Sequence, residues 1–185
     1  MTESLKYTIV EKEGNKELRR YAEHIEAEVN VVAESYREAV SKGFNLLAAY
    51  IFGSNVSQQN ISMTTPVQTY QSQKIAMTTP VTVTGEDRFT VAFIMPSEYS
   101  MTTLPLPKDE RVHLAQVSEK HMGDIRFPGY FQSGKIHANK EDLAVWLDAK
   151  GFEIDGPFII AGYNPPWVPG FLARNEVLVK VLPKS

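Results

Sequence analysis

The sequence predicts an α+β fold, a distorted β-barrel or mixed sheet built from two similar strand–helix–strand halves with two flanking helices. Three observations carry this expectation. Residues 36–52 place apolar side chains at helical spacing behind a capping sequence. Residues 139–151 do so again and end at a glycine. Strand-like stretches lie before and after each of them. A chain of 185 residues with 43% hydrophobic content suits one compact domain, 1–185, and the short Pro-rich stretches read as loops, not linkers.

In chain order, residues 7–10 and 18–21 read as strands around a Glu13-Gly14-Asn15 turn. Ile25, Ala27, Val29 and Val31 alternate with Glu26, Glu28 and Asn30, the pattern of a half-buried strand whose two carboxylates face solvent. Ser35 with Glu38 matches a capping box opening the first helix, and Gly53 closes it. Ile61-Ser62-Met63-Thr64-Thr65-Pro66-Val67 then recurs, nearly unchanged, as Ile75-Ala76-Met77-Thr78-Thr79-Pro80-Val81. Each copy reads as a short strand ended or pushed to an edge by its proline. The polar link between them is too short for a crossover helix, so a hairpin is expected, with a purely structural duplication as the alternative.

Phe89, Val91, Phe93 and Met95 alternate as a further strand that Pro96 ends. Pro105-Leu106-Pro107 is stiff and extended, and 111–117 and 124–127 read as strands. Asn139 is the expected cap of the second helix, with Glu141 and Asp142 in its first turn. Leu143, Trp146 and Leu147 supply its apolar side, and Gly151 stops it. Residues 158–163 and 177–182 are late strands.

Composition excludes several classes. A formal net charge of −3 without long basic runs predicts no nucleic-acid partner. The absence of cysteine removes disulfides, zinc–thiolate sites and cysteine nucleophiles. The first twelve residues lack an apolar core and no stretch approaches a membrane span, so a cytoplasmic protein without membrane contact is expected. No nucleophile elbow, phosphate loop or His-Glu-x-x-His sequence occurs, so an enzyme is not expected.

The first helix carries more apolar surface than one sheet needs. At roughly 100° per residue, Tyr36, Leu47, Val40, Ile51 and Phe44 form a stripe for the core, and Tyr50 and Leu46 widen it on one side. The surplus must meet another element, a partner or a ligand. Leu46, at the edge, is expected on the ligand side, and Phe44 in the core.

The repeated Met-Thr-Thr-Pro-Val resembles the Met-Thr-Ala-Pro-Val signature of the SOUL haem-binding protein family. Further similar stretches follow in order: Gly43-Phe44 through Tyr50-Ile51-Phe52-Gly53-Ser54-Asn55, then Phe93-Ile94-Met95-Pro96. Tyr163-Asn164-Pro165-Pro166-Trp167 comes last, with Arg174-Asn175-Glu176-Val177. With Tyr7 to Tyr21 near the start, the resemblance spans nearly the whole chain. It implies a distorted barrel with two flanking helices and a tetrapyrrole ligand, haem or a metal-free porphyrin, held non-covalently by a carrier or buffer. It also implies a site on the first helix and a late loop. Leu46 and Tyr50 would then offer apolar surface, and Lys42, one turn before Leu46, a cation for a propionate. Pro165 and Pro166 would pre-order the loop that sets Trp167 against a ring face.

No metal ligand is expected. His24, His113, His121 and His137 show no ligand spacing on a helix, and Met63, Met77 and Met95 are the commoner kind of methionine, core filling. The rival classes are an effector-binding module for other hydrophobic small molecules and a protein-interaction domain using the helix face.

Overall fold

The computed structural model describes residues 4–57, 75, 81–85, 88–130, 132–163, 169 and 172–185. Strands β1 (Tyr7–Glu13) and β2 (Lys16–Tyr21) form a hairpin turned at Gly14, whose φ of 60° suits a residue without Cβ. β3 (His24–Val32) leads into helix α1 (Tyr36–Ile51). Next come the short β4 (Asn55–Val56), β5 (Val81–Gly85), β6 (Arg88–Ile94), the short β7 (Leu106–Pro107), β8 (Val112–Val117) and β9 (Lys120–Pro128). Helix α2 (Ser133–Ala149), β10 (Phe152–Gly162) and β11 (Arg174–Pro183) follow.

Nine strands build one antiparallel sheet in the order β1-β2-β9-β11-β10-β5-β6-β3-β8, and β4 pairs with β7 apart from it. Among the described residues the sheet is open, with β1 and β8 as its edges, so of the expected distorted barrel or mixed sheet it is an open sheet, antiparallel throughout, and not a closed barrel. Its connections nevertheless force a strong curl. β2 and β3 lie six strand positions apart, about 29 Å in a flat sheet, yet only Ala22 and Glu23 join them, a reach of about 10 Å. Ser118 and Glu119 make the same short passage from β8 to β9. Both passages require the sheet to fold toward itself, which leaves one concave face.

Both helices lie on the other face. Ile160 of β10 and Val83 of β5 are paired and so point to one side; Ile160 belongs to the cluster under α2 and Val83 to the cluster under α1. Under α1 the core is Ala27, Val29, Val91, Phe93, Leu47 and Ile51; under α2 it is Leu18, Ile125, Leu143, Leu147, Val177 and Val179.

Several sequence expectations are revised. Helix α2 begins at Ser133, ahead of the expected cap Asn139, whose side-chain amide instead donates to the Lys135 carbonyl. The cause is Ile136, which is buried and extends the Leu143–Leu147 face by two turns. No side chain caps this N-terminus, so the sequence carried no start signal there. β5 was not foreseen, nor was the pairing of β7, at the expected extended prolines, with β4. Both copies of the Met-Thr-Thr-Pro-Val repeat lie outside the described residues apart from Ile75 and Val81, and so does the expected hairpin. Ile75 is buried and donates its N–H to the Ile51 carbonyl at the end of α1, and Val81 opens β5.

Candidate ligand-binding site

Helix α1 starts with half of the expected capping box, the carboxylate reaching one residue ahead of the cap. The Ser35 hydroxyl accepts from the Glu38 N–H at 3.3 Å, and the Glu38 carboxylate accepts from the Glu34 N–H at 2.9 Å. Its buried residues are Ala39, Gly43, Leu47, Tyr50 and Ile51. The helix approaches the sheet closely at Gly43, where a Cβ would lie 2.5 Å from Val91 Cβ. Small residues therefore mark the centre of the buried arc, which is rotated from the Tyr36–Phe44 stripe that side-chain bulk alone suggests.

This rotation relocates the predicted ligand residues. Tyr50 is buried, and its hydroxyl donates to the Pro105 carbonyl at 2.6 Å, with burial raising its pKa, so it is a core residue and offers no open surface. Lys42 is exposed and already engaged, donating to the Val32 carbonyl at 3.0 Å and pairing with Glu38 at 2.6 Å. Leu46 and Phe44 are both half-buried, on opposite edges of the arc about 160° apart around the helix. Phe44 is thus an edge residue as well, where the stripe had placed it in the core.

The two edges face different parts of the sheet. Lys42, on the side of Leu46, reaches the end of β3. The Phe44 ring packs edge-on against Phe93 of β6 at 5.3 Å. Phe93 pairs with Val81 of β5, which pairs in turn with Gly162 at the end of β10. The Phe44 edge therefore looks toward the strand end from which residues 163–173 run to β11. Along that edge lie exposed Arg37 and Ser41, half-buried Phe44 and Ala48, and Phe52, which is 64% exposed just past the helix. Pro165, Pro166 and Trp167 fall outside the described residues.

The stems of that segment are pinned by a buried polar cluster that sequence reasoning missed. Tyr163 donates to Glu176 Oε2 at 2.6 Å, and Arg174 donates to Glu176 Oε1 at 2.7 and 2.9 Å. Arg19, fully buried, donates to both Glu176 oxygens (2.8 and 3.1 Å), to Glu17 at 2.7 Å and to the Tyr21 hydroxyl at 2.9 Å, and it stacks on the Tyr7 ring. Arg126 adds a further bond to Glu176 at 2.9 Å. Burial alone would raise the Glu176 carboxyl, but the hydrogen bonds and charge of Arg19 hold it to about 2.

Asp124, also fully buried, behaves oppositely. Its Oδ1 lies 2.9 Å from Arg19 Nη2, yet neither oxygen makes a well-aligned hydrogen bond. Burial, then the Glu176 charge, pushes its carboxyl well up against the opposing pull of Arg19. The directional bonds go to Glu176, so protonation is favoured at Asp124 over Glu176. The signals in the sequence were Glu17, Arg19 and Tyr21 alternating along β2 and Glu176 inside Arg174-Asn175-Glu176-Val177.

None of the four histidines stands on the Phe44 edge. The ring nitrogens of His24 lie 2.9 Å from the Ala22 carbonyl and 2.9 Å from Glu26 Oε1, on the concave side of β3. His113 and His121 are exposed on β8 and β9, and His137 pairs with Glu141 on α2. Among the described residues no group of three or more His, Cys, Asp or Glu could hold a metal ion, and no helix is long and apolar enough to cross a membrane.

The family model described as SOUL heme-binding protein matches residues 2–180. The chain is 25% identical over 149 residues to heme-binding protein 1 of Xenopus laevis, covering 80% of this chain and 73% of that protein. It is 24% identical, over the same shares, to heme-binding protein 1 of Xenopus tropicalis. Among solved structures, the C-terminal domain of EcmrR superposes with a TM-score of 0.66 at 11% identity, over 97% of this chain and 99% of that one. A hydrolase from Listeria innocua superposes at 0.56 with 13% identity, over 91% and 92%. At such identities these two likenesses show the fold alone. The match along almost the whole chain shows that this protein belongs to the SOUL haem-binding family.

Proposed function

We propose that this protein binds haem or a metal-free porphyrin non-covalently and acts as a cytoplasmic carrier or buffer, a binding protein and not an enzyme. The observation that carries this reading is the accessible apolar edge Phe44–Ala48–Phe52 of α1, on the side of the β10 strand end. Family membership and the two heme-binding relatives support it. A flat tetrapyrrole binds chiefly through apolar area and needs few polar anchors.

Arg37, exposed at the start of the same edge, takes the propionate role first given to Lys42. Pro165, Pro166 and Trp167 supply the cover for the opposite ring face. The ligand surface of Leu46 and Tyr50 is replaced by Phe44, Ala48 and Phe52. We also read β3–α1–β5–β6 and β9–α2–β10–β11 as two similar halves, only the first of which presents an aromatic edge.

The test is an absorption titration with haem and, beside it, with metal-free porphyrin. Saturation near about one equivalent with comparable affinity for both is expected, because apolar area and not iron ligation holds the ring. A flat titration with both ligands would contradict the reading.

A further inference from the structure

We propose that the concave face of the sheet holds a second ligand site, separate from the α1 edge, which takes a small amphipathic organic cation, an aryl- or alkyl-ammonium, with its charge on Glu26. The curl that brings β2 beside β3 opens a cavity of about 280 Å³ at the Ala22–Glu23 passage, with Leu5, Ile94, Met95 and Tyr99 among its walls. A second depression shares Leu5, His24 and Ile94 with it and continues over Glu26 to Tyr21, Met122 and Leu178. The 280 Å³ volume lies just under the usual range of ligand pockets, roughly 300–1,000 Å³, and is too small to enclose a tetrapyrrole.

The charge of the occupant follows from β3. Glu26 and Glu28 sit two residues apart on the same face, opposite the α1 core. Glu26 Oε1 meets His24, while its Oε2 has no protein partner among the described residues. The Glu28 carboxyl is raised by burial and then by Glu26, with His113 opposing, so the two neighbouring carboxylates repel each other on this face. An ammonium on the free oxygen relieves that repulsion, and the Tyr99 ring at the wall suits a cation or an aryl group. An anion would meet Glu23 and Glu26, with Lys6 exposed at the rim and Lys120 at the far end of the second depression.

The test titrates the full chain with 4-phenylbutylammonium, followed by calorimetry, beside 4-phenylbutanesulfonate, which has a similar shape and the opposite charge. The ammonium is expected to saturate near about one equivalent, with Glu26→Gln weakening it roughly tenfold or more. Ala22→Trp, at an exposed rim position, places an indole across the mouth and is expected to weaken binding as much, which decides the matter should Glu26→Gln fail to fold. Neither variant is expected to change the haem titration, so this site and the α1 reading stand or fall separately. Equal binding of the sulfonate, absence of ammonium binding up to about 10 mM, or wild-type affinity in both folded variants would overturn the proposal.

Discussion

Glu176 gathers four donors, Arg19, Arg126, Arg174 and Tyr163, on one buried carboxylate, and Asp124 beside it has Arg19 within 2.9 Å but no well-aligned hydrogen bond. Removing the Glu176 charge leaves the fully buried Arg19 poorly compensated, so Glu176→Gln is expected to lower stability by roughly 3–5 kcal/mol in urea melts. The pH dependence follows from the same residues. With its folded pKa held to about 2, Glu176 contributes stability that is complete above the ordinary carboxylate range and is lost as the pH falls through about 2. Asp124 has the opposite sign: its folded pKa is raised, so it favours folding at low pH and that contribution is lost as the pH rises above the ordinary range. Asp124→Asn mimics the protonated acid. It is therefore expected to melt at or above the wild-type temperature at pH 8, and a loss as large as that of Glu176→Gln would show Asp124 ionised. As for iron, His24→Ala, His113→Ala, His121→Ala and His137→Ala are each expected to keep the bound-haem absorption bands, because no histidine stands at the Phe44 edge. Loss of the bands in one folded variant would identify an axial ligand.

At the scale of the element, α1 is positioned by what it lacks. Gly43→Ala improves helix propensity by about 1 kcal/mol, but its Cβ would meet Val91 Cβ at 2.5 Å, an atom close to the β6 backbone. A net loss of roughly 1–3 kcal/mol is expected, partly restored in Gly43→Ala with Val91→Ala, as a double-mutant cycle by urea unfolding can measure. That close approach also explains what the sequence could convey about the site. Helix limits, cap and amphipathicity were legible because Ser35, Glu38 and Gly53 act through local hydrogen bonds and backbone freedom. The direction of the buried face was not legible, because it depends on where the backbone can come nearest to β6, and a wheel weighted by side-chain size turns away from glycine and alanine. Phe44, expected in the core, consequently joins Leu46 at an edge of the buried arc. Phe44→Glu is now expected to weaken porphyrin binding by roughly tenfold or more, while Leu46→Glu leaves it within about twofold. The reverse order in the same titration would restore the Leu46 edge.

For the whole molecule, alternation and punctuation marked most strands of the sheet, yet its order and its curl rest on non-local facts. The two short passages, Ala22–Glu23 and Ser118–Glu119, bend the sheet only because the strands they join are six positions apart, and no local pattern encodes that distance. The buried charge cluster was equally hidden, since Arg19 and Glu176 are 157 residues apart in sequence and meet only in the folded sheet. Their meeting fixes the end of β10 and the start of β11, the strand ends nearest the Phe44 edge of α1. Binding of a tetrapyrrole between that edge and the segment joining β10 to β11 is tested most directly by NMR of the protein saturated with ferric haem, whose paramagnetic iron broadens nearby signals. Side-chain signals of Phe44, Ala48 and Phe52 should broaden, with those of Leu46 and of Met122 and Leu178 on the concave face staying sharp. Broadening centred on Leu46, or on Met122 and Leu178 with Phe44 and Phe52 unaffected, would contradict it.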